Sequence, residues 1–249
     1  MRALLIVKPQ LPVAVPYSYA GATNLLTPDP KEAVMIIGPG AIVLDYGAPI
    51  TLDTVFLGYH SGTADQLWSV QQIDANNNVT GPDLANTLAA PLGYGPPYHS
   101  FVRSAAPLTS RYWRLNFTTG ASNTPWYAGV LCLGLAWSCQ WGREWGSGRS
   151  IEDTGSVERL FGGGFGIDDG VAAGGFQWTF GDLQPEETRT LYQLAKERRT
   201  TRSVLVVEDS DQTDGLNERL HWGLFQKLQP YERLDPQNTK WGLQIGDWA

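Results

Sequence analysis

Charge is scarce in this chain of 249 residues: Asp, Glu, Lys and Arg make up 17% of it, below the roughly 25% usual for soluble domains. The two cysteines, Cys132 and Cys139, are too few for the disulfide framework of a secreted domain, and they read as buried thiols of a protein folded in the cytoplasm. The three histidines, His60, His99 and His221, are far apart. No metal-ligand spacing is present, and no cofactor is expected. Long apolar runs are also missing. Nothing approaches the roughly 20 residues of a membrane span, so no membrane insertion is expected. Leu4-Leu5-Ile6-Val7 is too short for a signal peptide and reads as a first β-strand stopped by Pro9 and Pro12. The net charge of −7, with only small clusters such as Lys196, Arg198, Arg199 and Arg202, argues against a nucleic-acid binder, which needs a basic face for phosphates.

What fills the space is Gly (28), Pro (16) and aromatic residues (11%), with ten Trp. That mix favours strands and tight turns over long helices. The Trp count implies large aromatic cores or extensive interfaces. From Val34 to Trp137 short strands alternate with turns. Ala41–Tyr46 and Leu52–Tyr59 read as two strands. Leu67–Ile73 alternates with Trp68, Val70 and Gln72 on one face, and Tyr112–Phe117 with Trp113, Leu115 and Phe117 on one face. Asp74–Asn78 is a turn, and Val130–Leu135 a closing strand. Residues 80–100, with their Gly and Pro, read as a long irregular loop. Even strand spacing without an intervening helical period argues for an antiparallel sandwich.

Composition shifts after Trp137. Residues 138–175 are rich in Gly and charge and read as a β-arm or a loop; Phe176, Trp178 and Phe180 then share a strand face. One helix is predicted from Pro185 to Arg199, with Pro in its first turn, Glu186 and Glu187 at its positive end and Lys196, Arg198 and Arg199 at its negative end. Strands at 203–208, 219–226 and 240–245 complete an α+β unit. The expected domains are 1–137 and 138–249.

Catalytic constellations are sparse. Phe161-Gly162-Gly163-Gly164-Phe165-Gly166 leads into a turn, Ile167-Asp168-Asp169-Gly170, whereas a phosphate cradle must open a helix. The carboxylates Glu144, Glu152, Asp153, Glu158, Asp168 and Asp169 define no pair across a cleft. No nucleophile sits in an elbow or beside a base. Recognition is the better fit. Tyr94, Tyr98 and His99 decorate the 80–100 loop, Trp126 and Tyr127 follow Asn123-Thr124-Pro125, and Arg103 lies nearby in sequence. Aromatic faces on loops can stack on a sugar ring while a cation or amide supplies hydrogen bonds. Equally, aromatics are typical anchors of protein interfaces, for which Trp141, Trp145, Trp178 and Trp241 are candidates.

Three stretches together carry a resemblance. Asn24–Ala33, the strand pair Ile42–His60 with its Leu44-Asp45-Tyr46-Gly47 and Leu57-Gly58-Tyr59-His60, and Arg111–Phe117 with Tyr112-Trp113-Arg114 resemble tailed-phage proteins carrying a discoidin-like (galactose-binding-like) jelly-roll domain. The pattern of the second half is similar to the tube-like domain of phage distal tail proteins: strand, helix, Val204-Leu205-Val206-Val207, acidic turn, Gly223-Leu224-Phe225 and a terminal Trp241-Gly242-Leu243-Gln244-Ile245. That resemblance implies a sandwich with one helix and a long β-hairpin that forms rings at the tail tip. The module order departs from the usual distal tail protein, which places its ring-forming domain first. No residue matches a fixed sugar-binding motif of discoidin-like domains.

The fold expected is mainly β: a discoidin-like jelly-roll sandwich followed by an α+β tail-tube-like domain. The function expected is a non-catalytic structural component of a phage tail tip or baseplate, made in the host cytoplasm and found in the virion. Its partners would be itself, in a ring expected to be a hexamer, and other tail proteins. The alternatives are an adhesin for host surface glycans and a glycan-cleaving enzyme.

Overall fold

A computed structural model describes residues 3–17, 20–89, 97–121, 123–212 and 214–248. The chain is mainly β, with one α-helix among the described residues, and none of its helices there is long and apolar enough to cross a membrane. It divides into two compact units, Ile6–Trp137 and Met1–Leu5 with Ser138–Ala249.

The first unit is an antiparallel jelly-roll sandwich. Strand β1 (Leu4–Val7) contributes its last two residues here, pairing with β10 (Ala136–Trp137). The others are β2 (Ala14–Tyr17), β3 (Val34–Ile36), β4 (Gly40–His60), β5 (Leu67–Ile73), β6 (Val79–Leu88), β7 (Tyr98–Phe117), β8 (Trp126–Ala128) and β9 (Val130–Gly134). One sheet runs β2-β4-β7-β5-β6, with β9 added to the far half of β4, and β3 pairs β8 in a second. The two strands expected at 41–46 and 52–59 are one strand, β4. Its pairing with β7 shifts register between Asp45 and Ile50 and between Leu52 and Thr54. Such irregularities bend a strand so that its two halves can serve opposite layers. The corner is held by Asp45, whose carboxylate takes two hydrogen bonds from Arg111 (2.8 and 2.9 Å) and one from the N–H of Gly47 (2.7 Å), a residue at φ +74°. Ile42 and Leu44 from one half of β4, and Val55 and Leu57 from the other, lie in a single core with Trp68, Val70, Trp113, Leu115 and Phe117.

The 80–100 loop is a correction. Residues 79–88 form β6, and β7 begins at Tyr98. β6 lies at the sheet's edge, where Pro82 takes no ladder hydrogen bond away from an inner neighbour.

The second unit contains β11 (Gly148–Asp153), β12 (Ser156–Arg159), β13 (Phe165–Asp168), β14 (Ala172–Leu183), α1 (Pro185–Arg198), β15 (Val204–Glu208), β16 (Leu220–Phe225), β17 (Glu232–Arg233) and β18 (Thr239–Asp247). Its sheet runs β1-β15-β16-β18-β14-β11, with β17 beside β18. Phe176, Trp178 and Phe180 of β14 are buried, as are Trp241, Leu243 and Ile245 of β18. Helix α1 starts at Pro185, and the Glu187 carboxylate closes its first turn by accepting the Gln184 N–H at 2.9 Å. Thr188, Leu191, Ala195 and Arg198 are its buried stripe, with Leu194 half-buried.

Residues 148–177 form a hairpin arm. β11 pairs the start of β14, and further out β12 pairs β13, with Val157 opposite Ile167 and Arg159 opposite Phe165. The Gly-rich stretch is the turn of this arm. Leu160 donates to the Gly164 carbonyl (2.8 Å) and Gly163, at φ +89°, donates to that of Leu160 (3.0 Å). Only glycine adopts such a φ without strain.

Candidate functional site

The aromatic residues singled out in the sequence separate into two groups. β8 is a short strand, so neighbouring side chains point to opposite faces. Trp126 points inward. It is 2% exposed, meets Phe117 and His60 edge-on at 5.5 and 5.9 Å, and its indole N–H donates to the Thr118 carbonyl at 3.0 Å. It is a core residue and offers no stacking face, which corrects its assignment as a sugar contact. Tyr127 points outward and is 42% exposed. Its backbone is clamped from both sides: Ser61 N–H donates to the Tyr127 carbonyl (3.0 Å), and Tyr127 N–H donates to Ser61 Oγ (3.1 Å). Met35, its register partner on β3, is also exposed.

Ser61 follows the end of β4, and that end brings in Tyr98 and His99. His60 pairs Tyr98 in register, with ring centroids 5.9 Å apart. His99 is half-buried and packs edge-on against Tyr59 at 4.7 Å. The Tyr59 N–H donates to His99 Nδ1 at 3.1 Å, so the neutral ring carries its proton on Nε2. Tyr59 itself sits at φ +53°, a backbone conformation uncommon for a bulky side chain. Beneath this surface, His60 is fully buried. Ser100 Oγ donates to the Ala89 carbonyl and accepts from His60 Nε2 at 2.9 Å. Among the described residues His60 Nδ1 has no partner. Burial, and then the neighbouring His99, push the His60 pKa down to about 3, so the ring is neutral.

Arg103 does not join this group. It pairs Thr54, five residues along β7 from Tyr98, roughly 17 Å at the rise of a strand. Its guanidinium is engaged by Asp53 at 3.2 Å. Tyr94 lies outside the described residues.

The four tryptophans proposed for an interface also divide. Trp178 and Trp241 are core residues of the second unit, 2% and 3% exposed, and this corrects their assignment. Trp141 and Trp145 are exposed. Cys132 is buried, whereas Cys139 is only half-buried, and its thiol faces the Gly142 carbonyl at 3.2 Å. Burial, and then Glu187, push that thiol up to about 11.

One constellation is not visible in the sequence, because five strands and the loop that carries Arg143 assemble it. His221 Nε2 lies 2.9 Å from Glu208, and its Nδ1 lies 3.0 Å from Asp247. Arg143 binds Glu208 (3.0 Å) and Asp209 (3.1 Å), and Arg149 binds Glu208 (2.8 Å). The Phe176 ring stacks on His221 at 5.1 Å, and the Arg143 guanidinium lies 5.1 Å from its centroid. Burial opposes charge on His221, yet Asp247 and Glu208 together hold its pKa above the ordinary value. Burial likewise raises Glu208, and the hydrogen bonds from His221, Arg149 and Arg143 outweigh it and leave the carboxyl at about 2. The network joins β11, β15, β16 and β18 and anchors the base of the arm through Arg149.

No family model matches this chain, and no curated protein does. Among solved structures the chain is similar to CpGH89CBM32-6 produced by Clostridium perfringens, at 12% identity over 51% of this chain and 94% of that one, with a TM-score of 0.39. It is similar to the family 32 carbohydrate-binding module from Streptococcus pneumoniae EndoD, at 12% identity over 51% and 99%, with a TM-score of 0.34. A Streptococcus pneumoniae fucose binding module is likewise similar, at 9% identity over 51% and 96%, with a TM-score of 0.35. These are likenesses of fold.

Proposed function

We propose that the unit Ile6–Trp137 binds carbohydrate, without cleaving it, at a surface centred on Tyr127, with the end of β7 that carries Tyr98 and His99 nearby. The observation that carries this reading is the exposed Tyr127 ring on a backbone clamped to Ser61, next to the residues that position Tyr98 and His99. An aromatic face with a negative quadrupole suits the C–H groups of a pyranose ring, and a preset ring loses little freedom on binding. Neutral histidine and tyrosine hydroxyls suit the hydroxyls of a neutral sugar. The test is a glycan array followed by titration of the best ligand. Tyr127→Ala is expected to weaken binding about tenfold, a loss of about 1.4 kcal/mol, at an unchanged melting temperature and with no new reducing ends released from the glycan. An array without any specific signal, or Tyr127→Ala binding as well as wild type, overturns it.

A second reading is favoured by the arm. An isolated two-stranded ribbon is marginal in water, and this one carries seven large apolar side chains, each more than half exposed: Ile151, Val157, Leu160, Phe161, Phe165, Ile167 and Val171. This supports a component of a multi-copy assembly. With the resemblance to phage distal tail proteins, the reading is a ring-forming virion protein of the tail tip that presents the sandwich for fibre or host-surface contact. Its test is the oligomeric state, taken up below.

A further inference from the structure

The outer part of the arm has two unlike faces. Register places Val157, Ile167 and Phe165 on one side with Arg159, and Ser156, Glu158, Gly166 and Asp168 on the other. Residues 151–171 contain five carboxylates (Glu152, Asp153, Glu158, Asp168, Asp169) and one cation (Arg159), a net charge of −4. At the tip, the turn held by Leu160, Gly163 and Gly164 presents Phe161, which is fully exposed.

The same unit has a groove of opposite character. It measures about 580 Å³ and lies between α1 and the 228–231 segment, lined by Tyr192, Lys196, Leu228, Tyr231 and Trp241. The three aromatic rings meet there at centroid distances of 5.5 to 6.4 Å. The Trp241 indole is fixed by its bond to the Gln229 carbonyl at 2.9 Å. Tyr192 and Tyr231 also wall an adjoining hollow of about 210 Å³ that carries Arg189 and Arg233. Among the described residues, every charged side chain lining either hollow is a cation.

We propose that this groove receives the arm tip of a second copy of the chain, with Phe161 and Leu160 packing on the exposed Tyr192 and Tyr231 rings, which the buried Trp241 supports from beneath, and the arm's carboxylates meeting Lys196, Arg189 and Arg233. The inference rests on the assembly reading and not on carbohydrate binding. An arm tip and a groove are different surfaces, so the contact is head-to-tail and closes into a ring or extends into a filament. A buried aromatic in a preformed aromatic pocket, rimmed by complementary charge, is the usual anatomy of an energetic hot spot.

Native mass spectrometry and sedimentation over a concentration series come first, on the full chain. Wild type is expected to self-associate. Phe161→Asp is expected to weaken association at least tenfold without changing the melting temperature, because the Phe161 side chain is fully exposed. A second experiment uses two chains in a Cys139→Ser background, one with Phe161→Cys and one with Tyr231→Cys. Mixed and oxidised, they are expected to give a disulfide-linked dimer that neither chain gives alone. A strictly monomeric wild type overturns the assembly reading, and this proposal with it. A wild-type oligomer that Phe161→Asp leaves intact overturns the proposal while the assembly reading stands. Association lost in Phe161→Asp with no mixed cross-link overturns the groove as the seat.

Discussion

His60 and His221 are both buried, yet their surroundings push them in opposite directions. His60 faces Ser100 and apolar rings, and its pKa falls to about 3. A depressed folded value means stability that is present above about pH 6.5, the unfolded value, and is lost as pH falls toward 3. His221 lies between Glu208 and Asp247, and its pKa is raised. Its contribution is fully present below about pH 6.5 and is lost as pH rises through the folded value. Melting curves from pH 4 to pH 9 should therefore lose stability toward both ends. His221→Gln should remove the pH dependence on the alkaline side and leave the acid side in place. An alkaline slope that survives His221→Gln would sink this account. At the same scale, the sequence announces a Trp126-Tyr127 pair at a turn, and strand geometry requires the two to face opposite sides. Which side faces the core depends on β3 and β4, far away in the chain, so the inward Trp126 and the outward Tyr127 were not separable from sequence.

At the scale of elements, strands with alternating aromatic residues were legible, because only one face of each can be buried. Trp113, Leu115 and Phe117 are core residues, as are Phe176, Trp178 and Phe180. Helix α1 was legible from its Pro, Glu and basic punctuation. The bent strand β4 was not: Gly47-Ala48-Pro49 reads locally as a turn between strands, and only pairing with β7 on both sides makes it one element. Close approach of strands was likewise invisible. Gly223 of β16 lies opposite Asp247 of β18, and a Cβ there would fall well inside contact distance of the Gly246 carbonyl. Neither partner is the end of a flexible side chain, so the strands themselves would have to part. Gly223→Ala is expected to cost on the order of 2–4 kcal/mol, in the range of severe single-site defects, as read by urea unfolding. A loss under about 0.5 kcal/mol, typical of an unconstrained surface site, would show that the sheet yields there.

For the whole molecule, charge is unevenly placed in a chain that has little of it. Net charge is −7 overall, yet −4 of this sits on residues 151–171, a stretch that buries almost nothing of its own, while among the described residues the charged side chains lining the groove beside α1 and its adjoining hollow are Lys196, Arg189 and Arg233. Two arms that meet first repel each other; an arm and a groove attract from a distance. The arm is therefore a device for finding its site as well as for holding it. Steering of this kind acts on encounter more than on escape. Raising salt from about 0.05 to about 0.5 M, which shortens the screening length severalfold, should slow the association rate by about tenfold or more and leave the dissociation rate nearly unchanged in stopped-flow light scattering. A salt effect confined to the dissociation rate would mean that the carboxylates act only after contact. Because the attraction is felt before any apolar surface touches, the exposed ribbon of a newly made chain would spend less time open to chance encounters than its hydrophobicity alone implies.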